Sequence, residues 1–190
     1  HLHGGGFVEF WQGLGVIRKW MGRILLRRLD VLLVLSEGWK NSVGSLLGDD
    51  IRRIHVVGNP IGREFGELAL SMPVEREGRT ILALGVMAPW KGVLDLLSAA
   101  GRVLPGSGWK LVVAGPERSR GIRAQCVRTI EETGLGSCVE LRDSVWGEAK
   151  VDLFRRSTVL VLPSYYENLP LVALEAAAAG MALVLSEVGA

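Results

Sequence analysis

The sequence predicts an α/β protein built on parallel, Rossmann-like sheets. Two observations carry that expectation. Between residues 80 and 185, short apolar runs closed by Gly or by Pro-Ser alternate with segments of helical periodicity, five strands with four helices. Such alternation implies right-handed crossovers and a parallel sheet. The first 62 residues read as the tail of a second unit of the same kind.

Each element has a local reason. "FVEFWQGLGVIRKWMGRILLRRL" is mostly helical, "DVLLVLS" a strand, "EGWKNSVGSLLG" a helix, and "IRRIHVVGNPI" a strand leaving into a turn. "GREFGELALSMPVEREGR" mixes Gly, Pro and charge, which places a linker over 63–78 between an amino-terminal unit (1–62) and a carboxyl-terminal one (79–190). "TILALG" is then a buried strand. "KGVLDLLSAAGRVL" is a helix with Val93, Leu96, Leu97 and Ala100 on one face. "WKLVVAG" is a strand, and "GIRAQCVRTIEETGLG" a helix stopped at Gly134 or Gly136. "SCVELRD", "EAKVDLFRRS", "TVLVLPS", "NLPLVALEAAAAG" and "MALVLS" continue as strand, helix, strand, helix, strand.

Composition narrows the function classes. The chain has 190 residues, 48% of them hydrophobic, enough for a real core. A formal net charge of +2 gives no strong field for nucleic acid. Cys126 and Cys138 make neither a disulfide framework nor a zinc site, which fits a reduced, cytoplasmic compartment. No apolar stretch approaches the roughly 18 to 20 residues a spanning helix needs.

In a parallel sheet, ligands bind outside the carboxyl ends of the strands. "LVLPS" ends such a strand, so "YYEN" lies at that edge, and a helix beginning near Asn168 would aim its amino end into the crevice. Free N–H groups and the helix dipole there attract anions such as phosphate. Pro170 fits the first turn, where its missing N–H is not needed. Glu167 and Glu175 stand eight residues apart, about 12 Å along a helix, too far to serve one atom as an acid/base pair. They could instead grip the two ends of a long ligand with an anionic middle. Carboxylates accept hydrogen bonds and sugar hydroxyls donate them, so a nucleotide-diphosphate sugar has the right form. The plainer alternative makes Glu167 a solvated first-turn acid and puts Glu175 on a solvent-facing stripe.

"PSYYENLPLVALEAAAAGMALVLSEVG" resembles the signature of family 4 glycosyltransferases, retaining enzymes of the GT-B fold, in which Glu, seven residues and Glu lie between a Pro-Ser strand end and an Ala-rich helix closing on Gly. "LALGVMAPWKGVLDLLSAA", "LVVAGPE", "VVGNPIG" and "HLHGGGFVEF" are similar, in order, to the first carboxyl-domain strand with its Lys-Gly loop, the next strand and turn, the Asn-containing segment before the linker, and the His-Gly loop of the amino-terminal domain. The resemblance implies transfer of a hexosyl group, with retention, from a UDP- or GDP-linked sugar to a glycan or lipid-linked hydroxyl acceptor, without a metal or other cofactor. It implies that Glu167 holds the transferred sugar's hydroxyls and Glu175 the ribose. The N–H groups of Asn168 and Leu169 would face the phosphates or the sugar, and Lys91 would neutralise the leaving diphosphate. His3 would lie near donor sugar and acceptor, with Gly4, Gly5 and Gly85 allowing close backbone approach. It also implies a chain of about twice this length, of which these residues are the middle and later part: an incomplete amino-terminal domain and most of the donor-binding domain.

The pattern departs from the family at one point: Val86 follows Gly85 where Arg is usual. Loss of one donor to a developing anion often costs about 3 kcal/mol. Arg118 or Arg120, in "GPERSRG", would have to substitute; otherwise the chain is a nucleotide-sugar-binding module with weak or no transfer. A nucleotide-sugar epimerase of the same fold is the third alternative, disfavoured by the Lys-Gly loop and the glutamate pair together. His1 and His3 lack a third metal ligand, and His55, in a strand, reads as structural. Finally, residues 16–29 set Ile17, Trp20, Met21 and Ile24 among Arg18, Lys19, Arg23 and Arg27. Such a helix either packs on a core or lies on an anionic membrane face, the inner face of the cytoplasmic membrane if the acceptor is lipid-linked.

Overall fold

A computed structural model describes residues 7–47, 53–70 and 78–188. The chain forms two compact units. One comprises residues 1–60 with 167–169 and 188–190, the other residues 61–166 with 170–187. The architecture is α/β with parallel sheets, as the alternating pattern predicts.

The first unit runs α1 (Phe7–Gly13), α2 (Val16–Arg27), β1 (Leu32–Val34), α3 (Glu37–Leu47) and β2 (Ile54–Val56). The helix expected across 7–29 is broken at Leu14 and Gly15; glycine in a helix interior costs about 1 kcal/mol relative to alanine. β1 and β2 pair in parallel, Leu32 opposite Ile54 and Val34 opposite Val56. Their buried residues pack with Val43 and Leu47, one turn apart on α3. Ser36 caps α3 by accepting the Trp39 N–H at 3.1 Å. At its other end, Arg23 Nε donates to the Leu46 carbonyl at 2.9 Å and Arg27 Nη2 to that of Leu47 at 3.1 Å, meeting acceptors that a helix end leaves unpaired. His55, read from the sequence as structural, is exposed on β2 and takes no part in the core.

The second unit contains α4 (Arg63–Leu70), β3 (Thr80–Leu84), a 3-10 turn (Pro89–Lys91), α5 (Val93–Val103), β4 (Lys110–Ala114), α6 (Ile122–Glu132), β5 (Val139–Arg142), α7 (Gly147–Arg156), β6 (Val159–Leu162), α8 (Leu171–Ala178) and β7 (Ala182–Leu185). All strands pair in parallel, in the order β5-β4-β3-β6-β7. The chain winds outward from β3 to β5, then crosses to β6 on the other side. β3 and β6 therefore flank the topological switch point, where open sheets of this kind bind ligands.

Side chains alternate across the sheet with the period of two that strands impose. Leu82, Leu84, Val112, Ala114, Leu160 and Leu162 face one core with Val151 and Phe154 of α7 and Ala173 and Ala176 of α8. Ile81, Ala83, Leu111 and Val113 face the other, with Val93, Leu97 and Ala100 of α5 and Ile122 and Cys126 of α6. The first core also takes in Phe65 and Leu68. Residues 63–70, expected in the linker, are thus a helix: Phe65 and Leu68, three apart, share the stripe that packs on this core, and burying them outweighs the Gly-rich local signal.

Candidate functional site

The β3, β4 and β6 strand ends lie close together at the switch-point edge. Gly115 approaches Gly85 so tightly that a Cβ on it would run into the Gly85 carbonyl oxygen. Gly85 N–H donates to the Ala114 carbonyl at 3.0 Å, Met87 N–H to Pro116 at 2.8 Å, and Arg118 N–H to Met87 at 3.0 Å, lacing the loops after β3 and β4 together. Beyond Met87 the 3-10 turn presents half-buried Lys91. Gly92, at φ +65°, turns the chain into α5, and a Cβ there would overlap the Pro163 carbonyl oxygen at the end of β6. Tyr165 N–H donates to the Trp90 carbonyl at 2.9 Å, and the Tyr165 hydroxyl to Asp95 Oδ2 at 3.1 Å. That hydrogen bond and the carboxylate's charge push the phenol above its ordinary value, since both favour the neutral form. The Lys-Gly loop and the Pro-Ser strand end, far apart in sequence, are therefore packed against one another.

Glu175 sits in the second turn of α8 and is 6% exposed. The solvent-facing alternative for it is thereby excluded. Its Oε1 accepts from Lys150 Nζ of α7 at 2.6 Å, while its Oε2 is buried without a hydrogen-bond partner. The ammonium lies 5.1 Å from the Phe65 ring centroid and 5.9 Å from that of Phe154, and the two rings meet edge to face at 4.9 Å. Sequence reasoning missed Lys150. The available signal was faint: Lys150 precedes Phe154 by four residues, on the face α7 turns to the core. Nothing local ties it to a carboxylate 25 residues later.

The start of α8 corrects one expectation. The helix begins at Leu171, with Pro170 in the capping position. Glu167, Asn168 and Leu169 precede it in a non-helical segment that groups with the first unit, where Asn59 Nδ2 donates to the Leu169 carbonyl at 3.3 Å. The first helical amides are therefore those of Leu171 and Val172, not of Asn168 and Leu169, and the 12 Å helical rise does not apply to Glu167. The reason is proline's demand for extended backbone in the residue before it. Glu167 is half-buried. Arg118 and Arg120 are exposed on the loop after β4, and Val86 is half-buried. His3, Gly4 and Gly5 lie outside the described residues. Among the described residues, no group of three or more His, Cys, Asp or Glu is placed to hold a metal, and no helix is long and apolar enough to cross a membrane.

A doubly wound parallel sheet, with a buried carboxylate on the helix that follows β6, defines a domain of the open α/β class. The chain belongs to the family of glycosyl transferases group 1, whose model matches residues 72–190. It is similar to the D-inositol 3-phosphate glycosyltransferase of Mycobacterium tuberculosis, at 32% identity over 170 residues, covering 84% of this chain and 34% of that one. Among solved structures it is similar to sucrose-phosphate synthase from Thermosynechococcus elongatus, with TM-score 0.72, 21% identity, and coverage of 98% of this chain and 49% of that one. The Anabaena protein HepE, solved in complex with UDP, gives TM-score 0.70 at 15% identity, covering 94% of this chain and 50% of that one. The chain thus spans 34% of the length of that curated relative and about half of each of these solved chains. The structural likenesses establish the GT-B type of α/β fold.

Proposed function

We propose that the protein transfers a hexosyl group from a UDP- or GDP-sugar to a hydroxyl acceptor on a glycan or lipid-linked glycan, with retention. The observation that carries this reading is the Glu175 carboxylate, buried with one oxygen unpaired. A buried acceptor without a donor costs about 1–3 kcal/mol, more when charged, and a ribose hydroxyl would remove that cost. Family membership and the UDP bound to a protein of like fold support the same assignment. In this reading Glu167 holds the sugar hydroxyls, with the amides of Asn168 and Leu169 beside it. Lys91 and the amides opening α8 meet charge on the departing diphosphate, so that an oxocarbenium-like transition state needs no metal. Arg118 or Arg120 stands in for the cation that is missing at Val86, Gly85 lets the diphosphate approach, and His3, Gly4 and Gly5 serve the sugar and acceptor side.

The test uses the intact protein. Against a panel of nucleotide sugars, a true donor at a hundred times its dissociation constant should add about 2.7 kcal/mol of stability. Transfer assays should then separate the glutamates: Glu175→Gln weakens donor binding, while Glu167→Gln mainly slows transfer. Equal, small effects of both would overturn the assigned roles. Donor binding without turnover would favour a binding module, the reading that Val86 supports.

A peripheral membrane role rests on a separate observation. No residue of α2 is buried, and Val16, Ile17 and Trp20 are 85%, 74% and 62% exposed. Arg18, Lys19, Arg23 and Arg27 lie on the same helix as that apolar face, a combination that suits an anionic bilayer surface at the inner face of the cytoplasmic membrane.

A further inference from the structure

We propose that Lys150 is a positioning residue that orients Glu175 so that one carboxylate oxygen is left without a protein donor, to be met by a hydroxyl of the nucleotide's ribose. The inference rests on the reading that Glu175 faces ribose. The terminal torsion of a glutamate is broad and roughly two-fold, so packing of the stem alone does not fix the carboxylate plane. Here one oxygen is pinned at 2.6 Å by the ammonium, and the plane follows. Oε2 is then left buried with no donor to pair with.

The ammonium is itself anchored independently of any ligand. Phe65 from α4 and Phe154 from α7 place their rings 5.1 and 5.9 Å from it. A cation against aromatic faces is attracted by the ring quadrupole, more strongly where water is displaced. Three helices thus converge on one charge. Stability alone is a poor reason for this arrangement, because replacing a buried ion pair by apolar side chains is often neutral or stabilising. A pair kept only to hold the helices together would also have no reason to leave one buried oxygen without a donor. Both features are accounted for if the pair exists to present that oxygen.

The experiment compares UDP with 2′-deoxy-UDP, and GDP with 2′-deoxy-GDP, by calorimetric titration of the full chain. The proteins are wild type, Lys150→Met, Lys150→Arg and Glu175→Gln, each checked for cooperative thermal unfolding. Wild type should prefer the ribose form by about tenfold or more, the worth of one hydrogen bond to a charged acceptor. Lys150→Met should reduce that preference to less than about threefold, Lys150→Arg should restore most of it, and Glu175→Gln should abolish it. A merely structural lysine would lower the unfolding temperature and weaken both forms alike, leaving the ratio unchanged. If Lys150→Met does not fold, Lys150→Gln is judged by the same ratio. A ratio unchanged in the Lys150 variants but lost in Glu175→Gln overturns the role of Lys150 and leaves the ribose reading standing. A ratio unchanged in Glu175→Gln, or no nucleotide binding by wild type, overturns the ribose reading itself.

Discussion

Gly92 offers the sharpest test of the packing that assembles the site. It sits at φ +65°, ψ 23°, between the 3-10 turn and α5. An added Cβ would overlap the Pro163 carbonyl oxygen and stand 3.0 Å from its carbonyl carbon and 3.3 Å from Pro163 Cγ. Backbone cannot swing aside as a flexible side chain can. For Gly92→Ala, left-handed strain adds about 1–2 kcal/mol and relieving the overlap about 1–3 kcal/mol more. The total, about 2–5 kcal/mol, corresponds to a fall in Tm of about 4–20 °C for a chain of this size. Gly66 is the internal control. It lies within α4, and a Cβ there would meet nothing within 4 Å. Gly66→Ala should therefore stabilise by about 0.5–1 kcal/mol through helix propensity. Differential scanning calorimetry of the two variants decides the matter. If Gly92→Ala melts within about 2 °C of wild type, or both variants shift alike, the close approach of the Lys-Gly loop to the β6 end is wrong, and with it the placement of Lys91.

Two further expectations concern single groups. The Tyr165 phenol is held neutral by Asp95, so its titration in ultraviolet difference spectra should fall above the ordinary tyrosine value and return toward it in Asp95→Asn. Because the folded-state value is raised, this contribution to stability is complete below the unfolded phenol's value and is lost as pH rises through the folded one. A Tyr165 titration unchanged by Asp95→Asn would refute the assignment. The exposed face of α2 should float the intact protein with vesicles containing anionic lipid but not with zwitterionic ones, and Ile17→Glu with Trp20→Glu should abolish flotation; equal recovery on both lipids would count against a bilayer partner.

How far local sequence reaches is clearest in the second unit. β3, β4 and β6 are apolar runs of four or five residues, each closed by Gly or Pro, and their alternation with α5, α6 and α7 was enough to specify a parallel sheet. The Glu167 and Glu175 spacing was equally plain, and so was the Lys-Gly loop. Two local inferences failed for opposite reasons. Residues 63–70 read as linker because Gly and charge dominate the segment, yet Phe65 and Leu68 found a core to fill. α8 read as starting at Asn168 because its apolar pattern does, yet Pro170 delays the first helical residue to Leu171.

The sequence by itself therefore determined the kind of fold this is: an α/β chain with parallel strands whose carboxyl ends run into a Lys-Gly loop and a Pro-Ser turn followed by two glutamates. Those features follow from periodicity, turn chemistry and residue order, all of which are local. Only the tertiary structure decided that Glu175 is buried, that Lys150 holds one of its oxygens, and that Gly92 lies against Pro163. These contacts join residues 25 or more positions apart. Their energies come from desolvation and close packing, which depend on what the rest of the chain brings alongside, and no periodicity along the chain encodes that.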